Sequence, residues 1–172
     1  MKTLTFIATG LVLLIVAVAL ALLLLGADRF WRVFGDPDLG PVSFEQLERR
    51  ASPNDALACP PDLCKAPTDI TTASYPAPAA DLRTAFAKVI ASEPRITAVE
   101  TNNNTLTDRY IQRTQWLGFP DTVVVKFLDQ PDGQSSLAIY SRSQIGHSDM
   151  GANKARITRW LTKLSAQIRP VE

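Results

Sequence analysis

A chain of 172 residues with 46% hydrophobic and 20% charged residues is too apolar for a disordered tail and too varied for a collagen-like one. All but one of the 18 Lys and Arg residues, and all 17 Asp and Glu, lie beyond residue 27, so the body of about 145 residues that follows is formally neutral. Neutrality argues against a polyanion-binding surface, and no nucleic-acid partner is expected; the length allows an ordinary core without metal or disulfide staples.

No charge falls within residues 6–27, and residues 11–25 read LVLLIVAVALALLLL. At 1.5 Å rise per residue the stretch spans roughly 33 Å, enough to cross the hydrocarbon core of a bilayer. A cleavable signal peptide has a shorter apolar region that ends in a small-x-small site. Ala19-Leu20-Ala21 has that pattern, but four more leucines follow it. Residues 1–27 are therefore expected to remain as a single-pass transmembrane anchor that meets lipid through residues 6–27. Lys2 and the amino terminus are matched by Arg29 and Arg32 on the other flank, so the positive-inside count is nearly a tie. The absence of a long N-terminal domain and the presence of a cysteine pair favour an exported body. In a bacterial cell that is a periplasmic domain on the inner, cytoplasmic membrane. Phe30 and Trp31 suit the headgroup belt, where a ring lies half in hydrocarbon and half in water.

Eight of the 12 prolines fall between Pro37 and Pro78. Lost backbone donors at such short intervals disfavour long helices and central strands, so residues 28–78 read as a proline-rich connector. One short helix is expected inside it, with Ser43 as its cap and Leu47 to Arg50 as its body. Residues 79–172 read as an α+β domain. Leu82, Phe86, Val89 and Ile90 repeat at helical spacing after Asp81, and Pro94 stops them. Four strands are then expected at residues 96–101, 106–117, 122–128 and 136–143, joined by Asn102-Asn103-Asn104, a looser link at residues 118–121, and Asp132-Gly133. Short links imply antiparallel neighbours, and the third strand, apolar on both faces, belongs at the centre. Ile157, Trp160, Leu161, Leu164 and Ile168 form the stripe of a final helix. The expected fold is an antiparallel four-stranded sheet packed by two helices.

Cys59 and Cys64 have four residues between them, against the two of a thioredoxin-like redox pair. Lys65 stands where covalent haem attachment needs a histidine, and two cysteines with the lone His147 fall short of a structural zinc set. No cofactor is expected, and a structural disulfide closing a proline-rich loop is the reading that fits an oxidising compartment. Arg109, Ile111 and Arg113 alternate on one strand face, as a solvated or partner-facing stripe.

The densest polar segment is YSRSQIGHSDMGANKARI, residues 140–157. Its order of Arg142, Ser143, Gly146, Ser148, Asp149, Gly151, Asn153, Arg156 and Ile157 resembles the signature of the domain of unknown function 1499 family, as do Tyr110-Ile111 and Gly118-Phe119-x-Asp121 upstream. The resemblance covers about 80 residues and implies no enzymatic activity. His147 stands where an aromatic is common in that family, and Gln144 where Arg is common. Physically, Gly146 and Gly151 permit positive φ, Asp149 or Asn153 can cap the helix that follows, and Arg142 and Arg156 can both approach Asp149. The same residues offer a functional alternative: Arg142, Ser148, Asp149, Asn153 and Arg156, near a helix N-terminus, forming a pocket for a small anionic or amphipathic ligand. His147, Ser148 and Asp149 contain the residue types of a hydrolytic triad, but consecutive side chains diverge and no Gly-x-Ser-x-Gly elbow is present. The function expected first is thus non-catalytic: a membrane-tethered accessory or assembly module that docks on another membrane protein. Ligand binding comes second and hydrolysis third.

Overall fold

A computed structural model of the chain describes residues 2–171. The unbroken aliphatic run, which lacks proline and any polar face, forms helix α1, Lys2–Trp31. It is long and apolar enough to cross a membrane, and its apolar stretch is not buried against the rest of the protein. That character is consistent with a membrane anchor. At Gly26 the helix breaks, with φ 74° and ψ 154°, a backbone state that favours glycine. The last turn, ending at Trp31, therefore departs from the axis of the apolar span.

Beyond the helix the chain forms a mixed six-stranded sheet with a helical layer on one face. The strands are β1 (Asp55–Cys59), β2 (Ile70–Thr71), β3 (Ile96–Asn102), β4 (Thr107–Arg113), β5 (Pro120–Asp129) and β6 (Ser135–Ser143), and the helices are α2 (Ala79–Ala91) and α3 (Ala152–Ser165). The sheet order is β2-β1-β6-β5-β4-β3. All neighbours are antiparallel except β1 and β2. Both edges are irregular: β2 is two residues long, and β3 carries a register shift between Ala98 and Glu100.

The expected antiparallel sheet of four strands is corrected on this point. Its four strands are present as β3 to β6, but β1 and β2 come from the stretch read as a connector. Asp55–Cys59 lies between Pro53 and Pro60, and every one of its donors is free to pair, so β6 takes it up with Asp55 opposite Arg142 and Ala58 opposite Ile139. The helix expected after Ser43 shrinks to one 3-10 turn, Phe44–Gln46. Ser43 donates to the Glu45 carboxylate instead of capping a backbone amide, and Arg49 and Arg50 turn inward to Asp55 and to the Ser143 carbonyl. The second expected strand ends early, at Arg113. There Thr114 N–H donates to the Phe119 carbonyl and Phe119 N–H to Thr114 Oγ1, both at 3.0 Å, closing a loop.

Strand alternation then sorts side chains between two cores. Ala56, Val123, Val125, Phe127, Leu137 and Ile139 face α2 and α3, where Leu82, Phe86, Val89, Ile157, Trp160 and Leu164 close over them. Phe86 meets Trp160 and Phe127 edge-on, at centroid separations of 5.8 and 5.6 Å. On the reverse face Leu57, Cys59, Val124, Ala138 and Tyr140 pack under Phe44 and Ala66. Cys59 and Cys64 form a disulfide that closes the loop leaving β1.

Trp160 is fully buried at the meeting of both helices and the sheet. Trp160→Ala should cost about 3 to 5 kcal/mol of stability, the range for deleting a buried aromatic. Urea unfolding of the full chain in detergent micelles reads this, and a loss below about 1 kcal/mol contradicts the packing described.

Candidate functional site

The polar segment after β6 splits across the sheet, because successive strand residues point to opposite faces. Ser141 and Ser143 face α3, and Arg142 faces the reverse side. The turn off the sheet uses left-handed backbone at Gly146 (φ 99°) and Gly151 (φ 81°). Asp149 then caps α3: its carboxylate accepts the Gly151 N–H at 2.9 Å and the Asn153 N–H at 2.8 Å.

The first turns of α3 drive two long polar side chains into the protein. Asn153 donates to the Asn54 carbonyl and to Ser143 Oγ, and accepts from Ser141 Oγ and Arg156. Arg156, 5% exposed, donates through Nε to Gln112 Oε1 at 2.6 Å, through Nη1 to Ser141 Oγ at 2.7 Å, and through Nη2 to the Asp121 carboxylate. Gln112 passes the network on, because its Nε2 donates to Glu93 and to the Pro94 carbonyl. The Glu93 carboxylate also receives Arg159 at 2.8 Å and Lys163 at 2.6 Å. A single hydrogen-bonded chain thus ties α2's exit, β4, β5, β6, the approach to β1 and α3 together. Burial pushes the Glu93 carboxyl up, but hydrogen bonds from Arg159 and Lys163 outweigh it and hold the group at about 2.

Arg142 belongs to a different assembly. Its Nη2 donates to the Leu39 and Gly40 carbonyls at 2.7 and 2.8 Å, and its guanidinium lies over the Tyr140 ring at 5.6 Å. The partners come from residues 36–47, which cross the reverse face of the sheet as an extended strap. Thr122 Oγ1 accepts the Leu39 N–H and donates to the Pro37 carbonyl, Asp38 pairs with Arg109, and Glu45 pairs with Lys126. The stripe of Arg109, Ile111 and Arg113 is accordingly covered in part: Arg109 meets Asp38 and Glu100, and Arg113 meets Asp28 at the end of α1.

Two expectations about the motif are therefore corrected. Arg142 and Arg156 do not share Asp149; they lie on opposite faces of one sheet, and neither touches it. The pocket built from Arg142, Ser148, Asp149, Asn153 and Arg156 is not assembled, since Asn153 and Arg156 are buried in the internal network and Arg142 holds the strap. A cleft of about 320 Å³ does open beside Ser148 and Asp149, with Asp121, Phe119 and Met150 among its lining, but neither arginine lines it. His147 is exposed and makes no hydrogen bond among the described residues, while Ser148 and Asp149 accept backbone amides. The three do not converge. Among the described residues no group of three His, Cys, Asp or Glu side chains could hold a metal ion.

Of the network, sequence reasoning named Ser143, Asn153, Arg156 and Asp121 through the motif but missed Asn54, Glu93, Gln112 and Ser141. The alternation of Leu137, Ile139, Ser141 and Ser143 against Ala138, Tyr140 and Arg142 was the available signal for the two-sided arrangement.

A family model described as a protein of unknown function, DUF1499, matches residues 42–164. The matched stretch holds the end of the strap, all six strands, α2 and all but the last residue of α3, with α1 outside it. No curated protein matches the chain.

Removing one partner of a buried ion pair strands the other charge. Arg156→Met should therefore cost about 3 to 5 kcal/mol, with part of that recovered in the double variant that adds Asp121→Leu. Chemical unfolding of Arg156→Met, Asp121→Leu and the double variant measures the coupling, and a double variant that loses as much as Arg156→Met or more contradicts it. Glu93 contributes stability that is present above its ordinary value of 4.5 and is lost as pH falls towards about 2. The unfolding midpoint of the wild type should drop across that window, and Glu93→Gln should flatten the drop.

Proposed function

We propose, for a chain that belongs to the DUF1499 family of proteins of unknown function, a non-catalytic role: an accessory or assembly module, tethered by α1, that docks on another membrane protein at the bilayer surface. The observation that carries this reading is the way the anchor joins the body. Trp31, 8% exposed, donates to the Leu117 carbonyl and lies 4.3 Å from the Phe119 ring, centroid to centroid. Asp28 pairs with Arg113, Gln144 donates to the Asp36 carbonyl, and the strap continues the attachment across β5 and β6. A flexible leash needs none of these contacts. A body held in one pose relative to the membrane suits recognition of a neighbour that shares the same plane, because the orientational cost of docking is already met.

Two further features support the reading. The polar residues of the family motif are engaged in holding the fold, which leaves the surfaces as the place for specificity. The Cys59–Cys64 disulfide suits an oxidising compartment, which supports a body on the periplasmic side of the inner membrane as part of this proposal.

The test is affinity purification of the full chain from mild detergent after crosslinking in intact cells. A stoichiometric membrane-protein partner is expected. A Gly-Ser segment inserted after Gly35, combined with Trp31→Ala and Asp28→Ala to remove the direct contacts of α1 with Leu117, Phe119 and Arg113, frees the body from the anchor and should lower recovery several-fold. Bait alone under all growth conditions, or equal recovery with the insertion, overturns the proposal.

A further inference from the structure

The loop between β4 and β5 has an exposure that the fold does not explain. Trp116 is 88% exposed and Leu117 is 46% exposed, although the loop is pinned on both sides: Arg113 donates to the Gly118 carbonyl at 3.0 Å and Trp31 to the Leu117 carbonyl at 2.6 Å. At its end Gly118 lies so close to α1 that an added Cβ would fall 2.5 Å from that of Ala27. A large aromatic held out into the surroundings by a fixed loop costs apolar exposure in water and points to an apolar or interfacial neighbour.

The position of the loop along α1 identifies that neighbour. Residues 114–118 form one wall of a cleft of about 330 Å³ whose other wall is Leu22, Leu23 and Ala27. Counting about 20 apolar residues from Phe6 for the hydrocarbon core places Leu22 and Leu23 in its final turn. Whatever faces those leucines stands at the boundary between acyl chains and headgroups. Trp is the side chain enriched at that depth. Arg95, exposed and lining the same cleft, supplies a cation at headgroup level.

We infer that residues 114–118 are a second membrane-contact element, in which Trp116 and Leu117 enter the interfacial layer beside the last turn of the span and Arg95 faces lipid phosphates. The inference rests on α1 crossing the membrane, as the proposed function does, but not on any docking partner. It fixes the body against the bilayer at two points, the break at Gly26 and the tip of this loop.

Full-length wild type and Trp116→Ala are reconstituted into vesicles of brominated phosphatidylcholine with a minor share of phosphatidylglycerol, and into the same vesicles without bromine. The emission lost on substitution isolates Trp116, whose exposure makes the change harmless to folding; near-ultraviolet circular dichroism checks this. Bromine should quench at least about half of that emission, and Leu117→Lys should reduce the quenching. Protein that resists alkaline extraction yet shows an unquenched Trp116 overturns the inference while leaving the tether intact, whether water or another protein surrounds the loop. Protein released by alkaline extraction overturns the tether and the loop contact together.

Discussion

The fold depends on a guanidinium that has been taken out of water. Arg156 sits beneath α3 with its guanidinium turned into the protein, and one carboxylate, two amides and one hydroxyl answer it. A buried charge of this kind is weak support for net stability, since desolvation consumes most of the Coulombic gain. Its effect is to make alternatives expensive. A slip of β5 by one residue turns Asp121 to the other face, a slip of β4 does the same to Gln112, and each leaves the arginine unanswered. The apolar packing around Trp160 tolerates small adjustments, whereas the polar chain from Glu93 to Asn54 accepts one register. The family motif is best understood in that light, as the part of the sequence that sets register.

The reverse face of the sheet is organised by a different means. Prolines keep residues 36–47 from forming ladder bonds, so side chains from the sheet reach out to hold the strap: Thr122, Arg109, Lys126 and Arg142. Burial pulls the Arg142 guanidinium down from its ordinary value, the cost of meeting carbonyls in place of a carboxylate. The strap joins the end of α1 to the sheet, so a contact in the second core bears on how the body sits relative to its anchor.

Much of this was legible in the sequence, and the remainder was hidden for physical reasons. Helices α2 and α3 follow from apolar residues at period 3.6, and β5 from valines on both faces. β1 was not visible, because Asp-Ala-Leu-Ala-Cys has no β-branched residue and stands between prolines; the strand exists because β6 offers it an edge and two cores accept its small side chains. Arg142 and Arg156 look like neighbours in a polar motif, yet period-two alternation separates them. Glu93, Gln112 and Asn54 carry no local mark, since only the pairing of distant strands brings them to Arg156.

The edges of the sheet limit how another protein can approach it. β2 offers two residues, and β3, the longer edge, is bulged between Ala98 and Glu100. Neither gives an incoming chain the regular row of amides and carbonyls that strand addition requires. Backbone zippering is thus disfavoured at both ends, and with it the commonest route to edge-to-edge aggregation. A neighbour that docks as proposed would then be told apart by side chains displayed by helices and loops, which can change one at a time without disturbing the ladder beneath them.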